Sequence, residues 1–196
     1  MEDRRVTRTR LILEEALLYL LESKTIEEIT ILNITEQANV NRSTFYAHYQ
    51  DKDTFLERMI GDNLTMLTES LRPEIGKLVL LPNKADAADP LLVALFQYLM
   101  EHEKFFRLMF KHSLPEFNRK LHDIIRESMY QRIISLDMEQ RLLVQMDILL
   151  DYTVLALIGI IRHWFSNNMV YSSFFMALQL SRIADLGINK SMGVTE

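Results

Sequence analysis

Six side chains between positions 42 and 52 have the chemistry to grip a polyanion: Arg42, Ser43, Thr44, Tyr46, His48 and Lys52. A guanidinium can pair with a guanine edge, while hydroxyls, a phenol and an ammonium can reach phosphate oxygens. Phe45 and Tyr49 lie among them four residues apart, so on a helix those two share a single face and leave the polar set on the other. Asn41, just before, is a suitable N-cap, and the free N–H groups of the helix start it opens would favour a phosphate. A face of this kind suits the DNA major groove better than a protein core, with Arg42 near the helix start able to pair with guanine. As part of a plain helical hairpin, the same Tyr46 and His48 would be ordinary surface residues.

Catalysis finds no comparable set. None of the five histidines follows a glutamate by three residues, as a di-iron bundle would require, and no pair has a His-x-x-x-His spacing. Gly-x-Gly-x-x-Gly, Walker and His-Glu-x-x-His motifs are missing as well. We expect a protein that is not an enzyme and holds neither a metal nor a cofactor. His102, His112, His122 and His163 read as satisfied or exposed side chains.

The elements that must position the polar face are helical. Glycine and proline are scarce, and apolar residues recur at three- and four-residue spacings, which gives an all-α fold. A first helix is expected over 6–22, striped by Ile12, Leu13, Ala16, Leu17 and Leu20. Two short helices follow within 30–49. Thr30 caps the first, whose inner stripe is Ile31, Ile34 and Ala38. Asn39 stands at a sharp turn where asparagine tolerates the left-handed conformation, and Val40 plugs the corner. A longer helix opens at Asp51 with Phe55, Met59, Ile60, Leu64 and Leu67 inward, and Pro73 kinks or ends it. Residues 82–90 read as a linker. Beyond them helices are expected near 91–101, 103–112, 115–135, 139–167 and 172–186.

The net charge of −5 argues against a protein that coats nucleic acid by bulk electrostatics, since residues 1–60 carry eight Lys/Arg against eleven Asp/Glu. Arg4, Arg5, Arg8 and Arg10 nevertheless form a local basic arm. The absence of cysteine removes disulfides and thiol redox sensing. No uninterrupted apolar run approaches the roughly 20 residues of a spanning helix. The charged start lacks the pattern of an export signal. A cytoplasmic protein with no membrane partner is expected.

Thr30-Ile31, Ala38-Asn39-Val40, Arg42 through Tyr49 and Lys52 together resemble the tetracycline-repressor (TetR/AcrR) family, over residues 9–56. The most specific part is Thr-Phe-Tyr-x-His-Tyr with Lys three residues on. Asn39 stands where the family usually has glycine, Asn41 where it has a small hydroxyl residue, and Ser23-Lys24-Thr25 where a glycine often follows the first helix. The stretch from Gly159 through Trp164-Phe165 to Ser172-Ser173 is also similar to the C-terminal half of one subgroup.

The resemblance implies a helix-turn-helix head, residues 1–50, on a helical ligand-binding and dimerisation body, residues 51–196. It implies backbone contacts from Thr30, Thr44, Tyr46, His48 and Lys52 and base reading by Arg42 and Ser43. The implied partners are a near-palindromic double-stranded operator, a second copy of the chain, and an unidentified small-molecule effector whose binding respaces the heads and relieves repression. A co-activator working through a protein partner would use the same fold.

For the dimer the apolar stripes offer Leu142, Leu149, Val154, Leu157 and Ile161, then Phe174, Phe175 and Leu178, with Gly159 allowing close helix approach. Each of these could equally be core. For an effector pocket, Met100, Phe105, Phe106, Met109, Phe110, Met146 and Trp164 are the adaptable apolar candidates.

Overall fold

A computed structural model describes residues 4–75 and 87–193. Among these residues there are nine α-helices, one 3-10 turn and no strand. The chain divides into two compact units, Met1–Asn63 with Lys104–Asn118, and Leu64–Glu103 with Arg119–Glu196. The division thus falls beyond position 50, because the head needs more chain than its three helices to close its core.

In the first unit, α1 (Arg4–Leu21) buries Leu13, Ala16, Leu17 and Leu21. α2 (Ile31–Gln37) and α3 (Arg42–His48) lie against it, and the start of α4 (Lys52–Ile75) adds Phe55, Met59 and Ile60. Phe45, Tyr49 and Phe55 form a ring triangle with centroids 4.7–5.6 Å apart. α6 (Glu103–Lys111) and the first turn of α7 (Pro115–Ser135) complete the unit. There Phe105, Phe106 and Phe110 surround Phe117 at 5.2–6.1 Å, and all four are buried with Met109.

The expected pocket residues Phe105, Phe106, Met109 and Phe110 are thus packed against one another and Phe117 in the core of this unit. α6 has a second task here. Its Lys111 Nζ donates to Glu22 O at 2.7 Å, and His112 Nε2, just beyond it, donates to Leu21 O at 2.8 Å. These side chains satisfy carbonyls at the end of α1, which explains how Ser23-Lys24-Thr25 serves there without a glycine.

The second unit contains α4 from Leu64 on, α5 (Pro90–Glu101), α7 after its first turn, α8 (Met146–Ser166) and α9 (Ser173–Ser191). Its core is Leu91, Leu95, Phe96 and Leu99 of α5, Leu121 and Ile125 of α7, and Val154, Leu157, Ile161, Trp164 and Phe165 of α8, with Ala177 of α9. Trp164 meets Phe96 edge to face at 5.3 Å and donates from Nε1 to Tyr171 O at 2.9 Å. Trp164, expected at a ligand pocket, is thus a buried core position with a satisfied indole. α8 has the length and composition of a membrane-crossing helix, with mean hydropathy 1.5. A core helix has the same character, and one side of α8 is the core just described.

Three boundaries differ from expectation. The helix expected over 139–167 is a 3-10 turn, Glu139–Arg141, then four non-helical residues, then α8. Apolarity alone suggested helix at Leu142–Val144, yet Leu143 is entirely exposed and no burial holds that stretch. Second, α4 continues through Pro73 to Ile75. Third, regular φ/ψ in α9 stops at Gly187 (φ 72°, ψ 170°), next to the expected end at 186, and one further turn follows. Most of the expected 82–90 linker lies outside the described residues.

Candidate nucleic-acid interface

The polar face is held by two caps and a turn. Thr30 Oγ1 accepts from Asn33 N at 3.2 Å while Asn33 Oδ1 accepts from Thr30 N at 3.0 Å, a reciprocal box that starts α2. Asn39 has φ 51°, the left-handed conformation expected of it. Asn41 Oδ1 then accepts from Ser43 N at 3.0 Å and from Ser43 Oγ at 3.1 Å, opening α3. Phe45 and Tyr49 are buried, and burial pushes the Tyr49 phenol above its ordinary pKa.

With that face anchored, Arg42, Ser43 and Tyr46 are exposed, and Thr44 and His48 are half-buried. Arg42 Nη2 donates to Tyr46 Oη at 3.2 Å, and its guanidinium carbon stands 5.5 Å from the Tyr46 ring centroid. The two therefore constrain each other one helical turn apart. Arg4, Arg5 and Arg8 are exposed on the opening turns of α1, whereas Arg10 pairs with Asp62 within the same unit.

Lys52, expected at a phosphate, has partners within its own unit. Its Nζ donates to Ile26 O at 2.5 Å and Ile29 O at 2.8 Å, so it fastens the turn before α2. Ahead of it, Asp51 caps α4 by accepting from Thr54 N at 2.7 Å, and that bond, with the Thr54 hydroxyl second, lowers its carboxyl pKa. Sequence offered no signal for the Lys52 partners, which lie more than twenty residues upstream. Lys52→Met is expected to lower stability by about 1–3 kcal/mol, because two carbonyls lose a charged donor. Denaturant titration checks this. A direct phosphate role would instead reduce the salt slope of DNA binding by about one.

The second unit has a cavity of about 990 Å³. Its walls include Leu92 of α5, Met129 and Arg132 of α7, Leu149, Tyr152, Thr153, Leu157 and Ile160 of α8, and Leu180, Ile183, Ala184 and residues 186–190 of α9. None of the seven expected pocket residues is among them. Met100 is exposed and Met146 half-buried at the start of α8. Leu149 and Leu157, expected at a dimer face, line this cavity.

Of the other residues expected at that face, Val154 and Ile161 are buried and Leu142 lies off the helix. A side chain already covered by its own chain has no surface left for a second copy. Phe174 and Phe175 are exposed and Leu178 half-buried. The apolar surface left open on α8 is the stripe Ile148, Tyr152, Leu155, of which Tyr152 also lines the cavity, and next along it comes Gly159, where an added Cβ would meet nothing within 4 Å. On α9 it is Phe175, with Ile183 and Leu186 exposed at the cavity wall itself. A stripe search marks an apolar helix, and the missed residues lie on its less strongly apolar side.

Residues 86–186 match the family model TetR_C_8, described as a transcriptional regulator C-terminal region. The chain is 27% identical over 161 residues to an uncharacterized HTH-type transcriptional regulator, YxbF, of Bacillus subtilis (strain 168), covering 81% of this chain and 40% of that protein. It thus spans well under half the length of that relative. Among solved structures, a TetR transcriptional regulator from Streptococcus agalactiae 2603V superposes with TM-score 0.66 at 17% identity, over 94% of this chain and 97% of that one. The dihydroxyacetone kinase operon activator DhaS gives 0.61 at 19%, over 91% and 93%. Both likenesses establish the all-α fold. With the family model spanning more than half of its length, the chain belongs to the TetR family of transcriptional regulators.

Proposed function

We propose that the chain is a dimeric repressor that places two copies of α3 on a near-palindromic operator and is released by a small-molecule effector bound in its second unit. The observation that carries the reading is the sorting of α3, with Phe45 buried, Tyr49 buried at its C-cap, and Arg42, Ser43 and Tyr46 open to solvent. Thr30, Thr44 and His48 serve the phosphates beside the groove, and the exposed arginines of α1 add sequence-independent attraction. One head buries too little to hold a site tightly, which is why two-fold pairing through α8 and α9 belongs to the proposal. An effector that prefers one arrangement of the dimer lowers operator affinity by population shift. Action on DNA without catalysis, in the cytoplasm, fits the regulators that the chain resembles.

Selection of operators from a random duplex pool tests this. Enriched sequences are expected to be inverted repeats with half-sites about one or two helical turns apart. Affinity should fall steeply with salt, with a log–log slope of about −0.9 per phosphate neutralised. Enrichment of no sequence, or a flat salt dependence in fluorescence anisotropy, would overturn the reading.

A further inference from the structure

The cavity of the second unit carries charge as well as apolar wall. Asp89 and Arg132 line it together, and Arg132 is buried. Nη1 and Nη2 of Arg132 donate to the two Asp89 oxygens at 2.8 and 2.5 Å. Asp89 is further fixed, since Oδ1 accepts from Leu91 N at 2.8 Å and its own N–H donates to Ser181 Oγ at 2.7 Å. This pair is a neutral, fully engaged part of the wall. The remaining charged residue on the wall is Lys190, and the polar Asn189 precedes it there. Both reach the cavity because Gly187, at φ 72°, turns the chain out of α9 and lays Ile188, Asn189 and Lys190 along its edge.

We propose that this cavity binds a single-chain amphipathic anion, with its headgroup at Lys190 and Asn189 and its aliphatic chain against Leu149, Leu157, Ile160 and Leu180. Three features select that class. The net charge of the wall is positive, since Asp89 cancels Arg132 and Lys190 is left over, so an anion is favoured and a cation disfavoured. The walls are mainly aliphatic, which rewards a hydrocarbon chain by area removed from water. The volume of about 990 Å³ lies at the upper end of the roughly 300–1,000 Å³ typical of small-molecule sites. This identifies the chemistry of the effector in the proposed repressor and rests on that reading for its regulatory meaning, whereas binding itself does not.

The test is calorimetry on the full chain without DNA, using decanoate, 1-decanol and decylammonium as probes. Decanoate is expected to bind once per chain, and decylammonium at least about tenfold more weakly, the size of one partly desolvated ion pair. Lys190→Gln, at an exposed position, should weaken decanoate by about tenfold and leave 1-decanol unchanged. Ala184→Trp, also exposed but on the wall, should block both probes while circular dichroism remains that of the native chain. Equal affinity for decanoate and decylammonium, no binding of decanoate, or indifference of decanoate to Lys190→Gln would overturn the proposal. If decanoate binds as expected but operator affinity is unmoved by it, the ligand site stands and the effector role of the reading above falls.

Discussion

Leu155→Asp is expected to hold the protein as a monomer at micromolar concentration and to lower operator affinity by roughly a hundredfold or more, through loss of the effective concentration that links two heads. Leu155 is 62% exposed within its own chain, so an aspartate there remains solvated and the helix content and melting of the monomer should change little. In the proposed dimer the same carboxylate would be taken from water without a partner, at a cost of several kcal/mol, more than the surrounding apolar contacts can offset. Sedimentation equilibrium reads the mass, and anisotropy the affinity. A dimer that persists with native affinity would move the interface off this stripe. Val154→Asp makes the comparison. Val154 is buried, so aspartate there should unfold the chain itself and thereby separate core from interface on neighbouring residues.

Arg42→Ala should reduce operator affinity next most strongly. A bidentate arginine-to-guanine contact is worth about 1–3 kcal/mol, and two-fold pairing doubles the loss, giving about 2–6 kcal/mol or roughly 30-fold to 10⁴-fold. Base discrimination at one position per half-site should relax in the same variant. Tyr46→Phe, by contrast, removes a hydroxyl able to reach phosphate and should weaken all sequences alike. Because Arg42 donates to the Tyr46 hydroxyl and lies over its ring, the two substitutions should not add. A double-mutant cycle on selected and scrambled duplexes reads both effects. Unchanged binding by Arg42→Ala, with folding intact, would remove α3 from the interface.

What could be read in advance was local. Caps at Thr30, Asn41 and Asp51, the left-handed turn at Asn39 and the four-residue step from Phe45 to Tyr49 are each decided within a few residues. Short-range chemistry therefore specified α2, the turn and α3 almost residue by residue. Long-range partners were another matter. The aromatic run of α6 is the same sequence whether it lines a pocket or fills a core, and only the arrival of Phe117 and α1 decided it for the core. Lys52 is similar: an ammonium at a helix start suits phosphate, yet the Ile26 and Ile29 carbonyls are closer. On α8 the periodicity announced one apolar helix, while burial split it into core, cavity wall and open stripe, which share residue types and differ only in direction. The cavity had no local signature, because its walls converge from residues 89 to 190.

Gly159 sets two interests of the molecule against each other. Considered alone, a chain would fare better with alanine, since glycine inside a helix costs about 0.5–1 kcal/mol and nothing within 4 Å would resent the extra methyl. The missing methyl has no beneficiary in the lone protomer. In the proposed pair it would let two α8 backbones come together at the end of the open stripe. The position is then a small thermodynamic debt of the individual that only a companion redeems, and a screen for heat resistance alone would drift toward alanine there and toward solitary chains.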